Sequence, residues 1–326
     1  MIKGHVSGDH FHGTLDPAFL TTEKGIRAIK WSLAVLVLTA SLQAVVVSLT
    51  SSVALLADTI HNFGDAATGI PLWIAFLMAR KQPTKRFHYG LGRVEDIAGI
   101  FIVLLMSLSG VATAYLSFTR LFAPYEIQHL SAIAAASVLG FVGNEVAAMV
   151  RIRTGKAIGS AALIADGYHA RIDGLTSLGV LIGVVGVAAG FPKADPVVGL
   201  GITAVVFKMV WDSGKSIFTR LLDGVDPTVL YEVQHAAQHV TGVREVTEVR
   251  VRWVGHRLSA EINIAVDSQL SVEAGHRVAQ EVRHELLHHL PYLGNATIHV
   301  DPLNASGEQH HRIREHQHDE LPTHSH

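Results

Sequence analysis

The sequence predicts an all-α membrane bundle of six spanning helices followed by a small α+β domain. Three observations carry this. First, six apolar stretches follow one another, each near the roughly 20 residues needed to cross a bilayer. Second, the links between them alternate between basic and nearly uncharged. Third, the periodicity changes after Asp223, where segments of helical and strand-like spacing take the order αββαβ. The composition agrees. Of 326 residues 49% are hydrophobic and 17% charged, and the mean hydropathy is +0.32, too apolar for an ordinary soluble chain.

Residues 1–23 form a polar tail with His5, His10 and His12. It lacks the basic-then-apolar order of a cleaved signal peptide. The spans are Ile26–Leu49, Val53–Met78, Val94–Phe122, Leu130–Val150, Ser160–Ala189 and Pro196–Ile217, making a transmembrane domain over 24–222. Lys24, Arg27 and Lys30 stand at the start of the first span. Arg80, Lys81, Lys85, Arg86 and Arg93 lie between the second and third. Arg151, Arg153 and Lys156 lie between the fourth and fifth. The link Thr50–Ser52 has no positive charge, and Phe191–Asp195 sets Lys193 beside Asp195. The positive-inside rule therefore puts both termini and the basic links in the cytoplasm. The expected location is the cell (inner) membrane, as a multi-pass protein.

Residues 223–303 read as a cytosolic domain. Val229–Val240 is a short amphipathic helix. Glu245–Val254 alternates as a strand does, and His256–Val266 is a second strand after a turn at Gly255. Ser271–Leu290 has helical spacing, a Ser cap and Glu273 in its first turn. Ala296–Val300 is a third strand, ended by Asp301–Pro302. This order implies one sheet covered by helices. Residues 304–326 are polar and His-rich and are expected to be disordered. Such tracts are more often weak, nonspecific metal binders than sites.

Composition also excludes several classes. The net charge of −2 gives no basis for nucleic-acid binding. With no Cys there are neither disulfides nor thiolate metal sites. What remains is a nitrogen and oxygen ligand set with 21 His, which suits zinc, cobalt, nickel, iron or manganese better than copper(I).

One polar signature occurs twice inside apolar runs: Ala54–Asp65, ALLADTIHNFGD, and Ala162–Asp173, ALIADGYHARID. Each holds Asp, then His three residues on, then Asp four further: Asp58, His61, Asp65 and Asp166, His169, Asp173. Residues at i, i+3 and i+7 share one helix face. A lone His on an apolar face is usually a satisfied core residue. Six ionisable groups at matched spacing are harder to explain that way, because intramembrane charge is expensive and tends to mark ion pathways. His61 and Asp65 with His169 and Asp173 supply two nitrogen and two oxygen ligands, a complete tetrahedral set for a divalent cation. No position is left for an activated water, which favours carriage over hydrolysis. The ligands must be deprotonated to bind metal, and His titrates near neutral pH, so metal and proton movements are expected to be coupled. Asp58 and Asp166 stand one turn from each His, as second-shell acceptors, helix-packing groups or proton relays. Asn144, in the fourth span, is a candidate to line the pathway. Its neighbour Glu145 reads as bundle-facing polar glue.

These residues carry a family resemblance. The chain resembles the cation diffusion facilitators, divalent-metal/proton antiporters, over roughly residues 24–303. His61-x-x-x-Asp65 and His169-x-x-x-Asp173 are similar to the family's second-span and fifth-span motifs. Tyr89–Glu95 resembles its linker entering the third span, and His299-Val-Asp301-Pro302 its last cytosolic strand. The resemblance implies a six-helix transmembrane bundle with a ferredoxin-like (αββαβ) cytosolic domain, a homodimer, and alternating access. It implies export of Zn2+, with Co2+, Cd2+ and Ni2+ as further cargoes, and no catalytic cofactor. Arg93 and Asp223 match a charge pair that locks bundle to cytosolic domain at the dimer interface. His276, His299 and Asp301 match ligands of a cytosolic metal site. That site looks partial, because Thr247 and Asn263 stand at two of its His positions. His256 is read first as an exposed turn residue and second as a substitute ligand. A linker metal site is expected to be absent or degraded, with Phe87 and Leu91 at its His positions and His88 displaced by one.

Two other function classes compete. A membrane-anchored metal sensor leaves the twin ladders unexplained. An intramembrane metalloenzyme needs an open metal position and a base, as in His-Glu-x-x-His, and no expected span carries that string.

Overall fold

The computed structural model describes residues 17–50, 68–122, 130–191 and 193–307. Among them, six helices precede the C-terminal domain: α1 (Pro17–Thr50), α2 (Gly69–Ala79), α3 (Val94–Phe122), α4 (Leu130–Ile158), α5 (Ala161–Ala188) and α6 (Ala194–Leu221). Among the described residues, α1, α3, α4 and α6 contain stretches long and apolar enough to cross a membrane. The earlier part of the expected second span lies outside the described residues. α5 has the length of a span but carries Asp166, Arg171 and Asp173 in its first half.

Several boundaries differ from expectation, two of them at the site's supporting helices. α1 begins at Pro17, inside the stretch read as tail. Proline suits a first helical turn, where its missing N–H costs nothing. α4 runs beyond Val150 to Ile158, because Arg151 turns into the bundle and is buried there.

The bundle core is built from Ile29, Leu72, Phe76, Ile102, Met106 and Leu163, all fully buried. Outward, Leu104, Leu108 and Trp211 are exposed, an apolar surface that suits lipid and not water. α4 and α5 form an antiparallel hairpin, and the Ser160 hydroxyl accepts the Leu163 N–H at 3.0 Å to start α5. α1 packs on α4 through Gln43, whose amide donates to the Ala136 carbonyl at 3.0 Å. At Gly143 a Cβ would stand 2.0 Å from the Thr39 hydroxyl, so only a residue without a side chain fits that crossing.

The C-terminal domain follows the expected order: α7 (Pro227–Gln238), β1 (Glu245–Val254), β2 (Arg257–Val266), α8 (Val272–His289) and β3 (Leu293–Pro302). β2 is central, antiparallel to β1 and parallel to β3, with α8 as the crossover the parallel pair requires. Asp226 caps α7, its carboxylate accepting the Thr228 N–H at 2.9 Å with Pro227 next. That bond holds the carboxyl below its ordinary range. Ser271 caps α8, and Val233, Leu258, Ile262, Val282 and Leu286 fill the space between helices and sheet. Tyr292 donates to Glu232 at 2.8 Å, and burial with this bond pushes its hydroxyl up to about 12.

The β1–β2 turn reaches the bundle. Gly255 sits in the left-handed region, φ 64°, and a Cβ there would stand 2.5 Å from the Gly92 carbonyl oxygen. Gly255→Val should therefore cost at least about 1–2 kcal/mol from backbone strain alone, with the clash added. Thermal unfolding of the purified protein measures this; an unchanged midpoint would show that the turn does not depend on glycine.

Candidate metal site

Asp58, His61 and Asp65 lie outside the described residues. The second ladder lies on α5. His169 is 2% and Asp173 9% exposed, and Asp166 is fully buried. α5 is aligned on α4 by polar contacts along its length. Asn144, itself buried, has its Cβ 3.3 Å from where a Cβ on Gly174 would stand, beside Asp173. Nearby, Arg171 forks onto Glu145, with Nε to Oε2 at 3.1 Å and Nη2 to Oε1 at 2.6 Å. Glu145 is thus the interhelical glue expected of it, with Arg171 as partner. Asp166 Oδ2 lies 3.8 Å from the Cβ point of Gly69, so this end of the ladder is turned toward the start of α2.

Asp166 has a fixed cation beside it. Arg151 Nη1 stands 3.1 Å from Asp166 Oδ2, with both side chains within 1% of complete burial. Arg151 Nε also donates to the Ser32 hydroxyl at 2.8 Å. One side chain of α4 therefore joins α1, α5 and the beginning of α2. Sequence reasoning missed this, because Arg151 was counted with the basic residues of its link. The signal was present: Asn144, Ala147, Ala148 and Arg151 fall at helical spacing and all are buried, so Arg151 continues an inward face.

A second polar cluster joins bundle and C-terminal domain. The Glu95 carboxylate lies 2.6 Å from His256 Nδ1 and accepts the His256 backbone N–H at 3.1 Å and the Ser160 hydroxyl at 2.5 Å. His256 Nε2 is 3.0 Å from the Thr22 hydroxyl. His256 is 1% exposed, which corrects the reading of it as an exposed turn residue. The turn is exposed within its own domain but is covered by α1 and α3. Around it, Arg93 pairs with Asp223 and donates to the carbonyls of Arg220 and Leu221, both at 3.3 Å. A cation there also complements the C-terminal end of α6. Arg220 stacks on Trp253 at 4.3 Å, and Arg252 lies over Tyr89 at 4.8 Å, fixing the linker to β1.

The cytosolic candidates are only partly gathered. His299 Nε2 and Asp301 Oδ1 are 2.8 Å apart. β-sheet register sets Asn263 beside His299, and the Thr247 hydroxyl donates to the Asn263 carbonyl at 3.3 Å. The sheet thus brings Thr247, Asn263, His299 and Asp301 near one another, and the first two are poor metal ligands. His276 is exposed on α8. Among the described residues, no group of three or more His, Cys, Asp or Glu is arranged to hold a metal ion. In the linker, His88 Nε2 is engaged by the Lys85 carbonyl at 2.6 Å. The string His-Glu-x-x-His does occur outside the spans, as His284–His288 on α8. Its His rings stand 4.4 Å apart on the exposed face, while Glu285 is 3.2 Å from His289. Among the described residues no third ligand joins it.

The Arg151–Asp166 pair gives a quantitative expectation. Arg151→Met or Asp166→Asn alone leaves a buried charge unmatched and should cost about 3–5 kcal/mol, while the double variant should recover most of the loss. Thermal unfolding of the purified proteins reads the cycle. Additive losses would mean the two side chains do not act on each other.

Comparison with known proteins places this geometry. A family model described as the cation efflux transmembrane domain matches residues 29–222, and one described as the cation efflux protein cytoplasmic domain matches 225–303. A probable cation efflux system protein of Mycobacterium tuberculosis (strain ATCC 25618 / H37Rv) is 48% identical over 305 residues, 93% of this chain and 92% of its own. The magnetosome protein MamB of Paramagnetospirillum magneticum is 27% identical, over 79% of this chain and 88% of its own. The manganese efflux system protein MneP of Bacillus subtilis is 27% identical, over 77% and 87%. Both halves are matched, and the resemblance runs nearly end to end. The chain therefore belongs to the cation efflux family, the cation diffusion facilitators, which are membrane transporters of divalent metal cations and not enzymes.

Proposed function

We propose that the protein is a secondary transporter that exports a divalent cation, zinc first, from the cytoplasm in exchange for protons by alternating access. The transport site is His61, Asp65, His169 and Asp173. The observation that carries this is the burial of His169 and Asp173 one turn apart on α5, because ionisable side chains inside a spanning bundle tend to mark ion pathways. Asp65 precedes Gly69 by one helical turn of sequence, and Gly69 stands beside Asp166, which supports one site shared by both ladders. Asn144, beside Gly174, lines the same pathway. Asp58 is the counterpart of Asp166 in the first ladder, in a supporting role as a second-shell acceptor, a helix-packing group or a proton relay.

Two imidazoles and two carboxylates suit zinc, with cobalt, cadmium and nickel close behind. A relative's name points to manganese efflux, but manganese favours oxygen-rich sites. Binding needs neutral His and ionised Asp, so protons bind when the metal leaves. The protein works as a homodimer with both termini cytoplasmic, and Arg93–Asp223 locks bundle to cytosolic domain. His276, His299 and Asp301 hold metal weakly, in a modulatory role.

Sealed vesicles with an imposed pH gradient test the reading. Zinc uptake should follow the gradient, and Asp173→Ala should lower it to the level of empty vesicles while the dimer persists on size exclusion. Full transport by that variant would remove Asp173 from the site. His299→Ala should weaken cytosolic metal binding and spare most transport; loss of all transport would make the cytosolic domain more than a modulator.

A further inference from the structure

A groove between α1 and α4 is not explained by metal transport. It forms an open cleft of about 570 Å3, within the size range of small-molecule sites. Its lining is ordered by depth. Lys24 and Arg27 of α1 and Arg153 of α4 gather at the end nearest the C-terminal domain. Trp31 comes next, 66% exposed, and Val35, Val146 and Val150 form the far end. On α1 the stripe Lys24, Arg27, Trp31, Val35 has helical spacing, and Val146, Val150, Arg153 repeats it on the antiparallel helix. From Lys24 to Val35 the rise is about 16 Å.

Among the described residues the three cations have no acidic partner. Arg80, Arg93, Arg151 and Arg171 each pair with a carboxylate. Among the described residues, none lies within ion-pair distance of Lys24, Arg27 or Arg153. Basic residues at span ends are ordinary for orientation alone. Convergence of three on one apolar cavity, with an aromatic side chain at the boundary, is not required for that.

We infer that this groove binds an anionic phospholipid of the surrounding bilayer. Its headgroup phosphate lies among Lys24, Arg27 and Arg153, and its acyl chain runs past Trp31 onto the valines. A basic pocket between spanning helices, continuous with an apolar channel, matches that ligand in charge and in polarity order. Because α1 also reaches the C-terminal domain through Thr22, the lipid would sit beside the α1 segment that contacts the β1–β2 turn.

The test uses the full-length protein in detergent, titrated with phosphatidylglycerol, phosphatidylcholine or inorganic phosphate. Retained lipid is counted by native mass spectrometry, and stability is followed by thermal midpoint. Phosphatidylglycerol should be retained and should raise the midpoint; the other two should do neither. The triple variant Lys24→Gln, Arg27→Gln, Arg153→Gln should lose this preference on the order of a hundredfold, from three surface cations. Lys81→Gln, Lys85→Gln, Arg86→Gln removes equal charge from the exposed linker and should change nothing. Val150→Trp, which fills the apolar end and keeps every charge, should also weaken retention and covers the case in which the triple variant fails to fold. Undiminished retention in either groove variant, equal loss in the linker variant, or the same shift with inorganic phosphate would overturn the inference.

Discussion

Charge placed inside an apolar bundle must be matched there, and that constraint organises this molecule. Asp166 and Arg151 are both shut away from water, so each needs an opposite charge close by, and each is the other's. Their contact at 3.1 Å fixes α5 on α4, and the Ser32 hydroxyl brings α1 to the same point. Because His169 and Asp173 lie on the next turns of α5, the ion pair sets the height and rotation at which they are presented. A tetrahedral cation tolerates little error in ligand position, so a rigid support below the ligands is what such a site needs.

The same logic recurs where the two domains meet. Glu95 and His256 are both buried, and they come from chain segments far apart in sequence. Either alone would be a cost; together, with Ser160 and Thr22 completing the hydrogen bonds, they form a satisfied polar core. The C-terminal domain is therefore seated on α1, α3 and the α4–α5 hairpin, and α5 is also the helix that carries His169 and Asp173.

Much of this was legible from the residues. The αββαβ order, Ser271 as a helix start, and the apolar stretches of α1, α3, α4 and α6 follow from local periodicity and capping, which depend on near neighbours. The inward face of the second ladder was legible because helical spacing puts Asp166, His169 and Asp173 on one side of α5. Glu145 was recognised as glue, but its partner Arg171 was not, since pairing across helices depends on their register. Arg151 and His256 were misjudged for one reason: local context gives a basic residue in a link, or a His in a turn, no cover. The cover comes from α2 and α5 in one case and from α1 and α3 in the other. Burial of a polar side chain is a tertiary fact, and sequence shows only that a face would permit it.

The most direct test of the central claim is to locate zinc by anomalous scattering in crystals of the full-length protein. The account predicts a peak about 2.0–2.2 Å from a ring nitrogen of His169 and a carboxylate oxygen of Asp173, with His61 and Asp65 closing the tetrahedron. A peak elsewhere in the bundle, with Asp173 turned toward lipid, would contradict it.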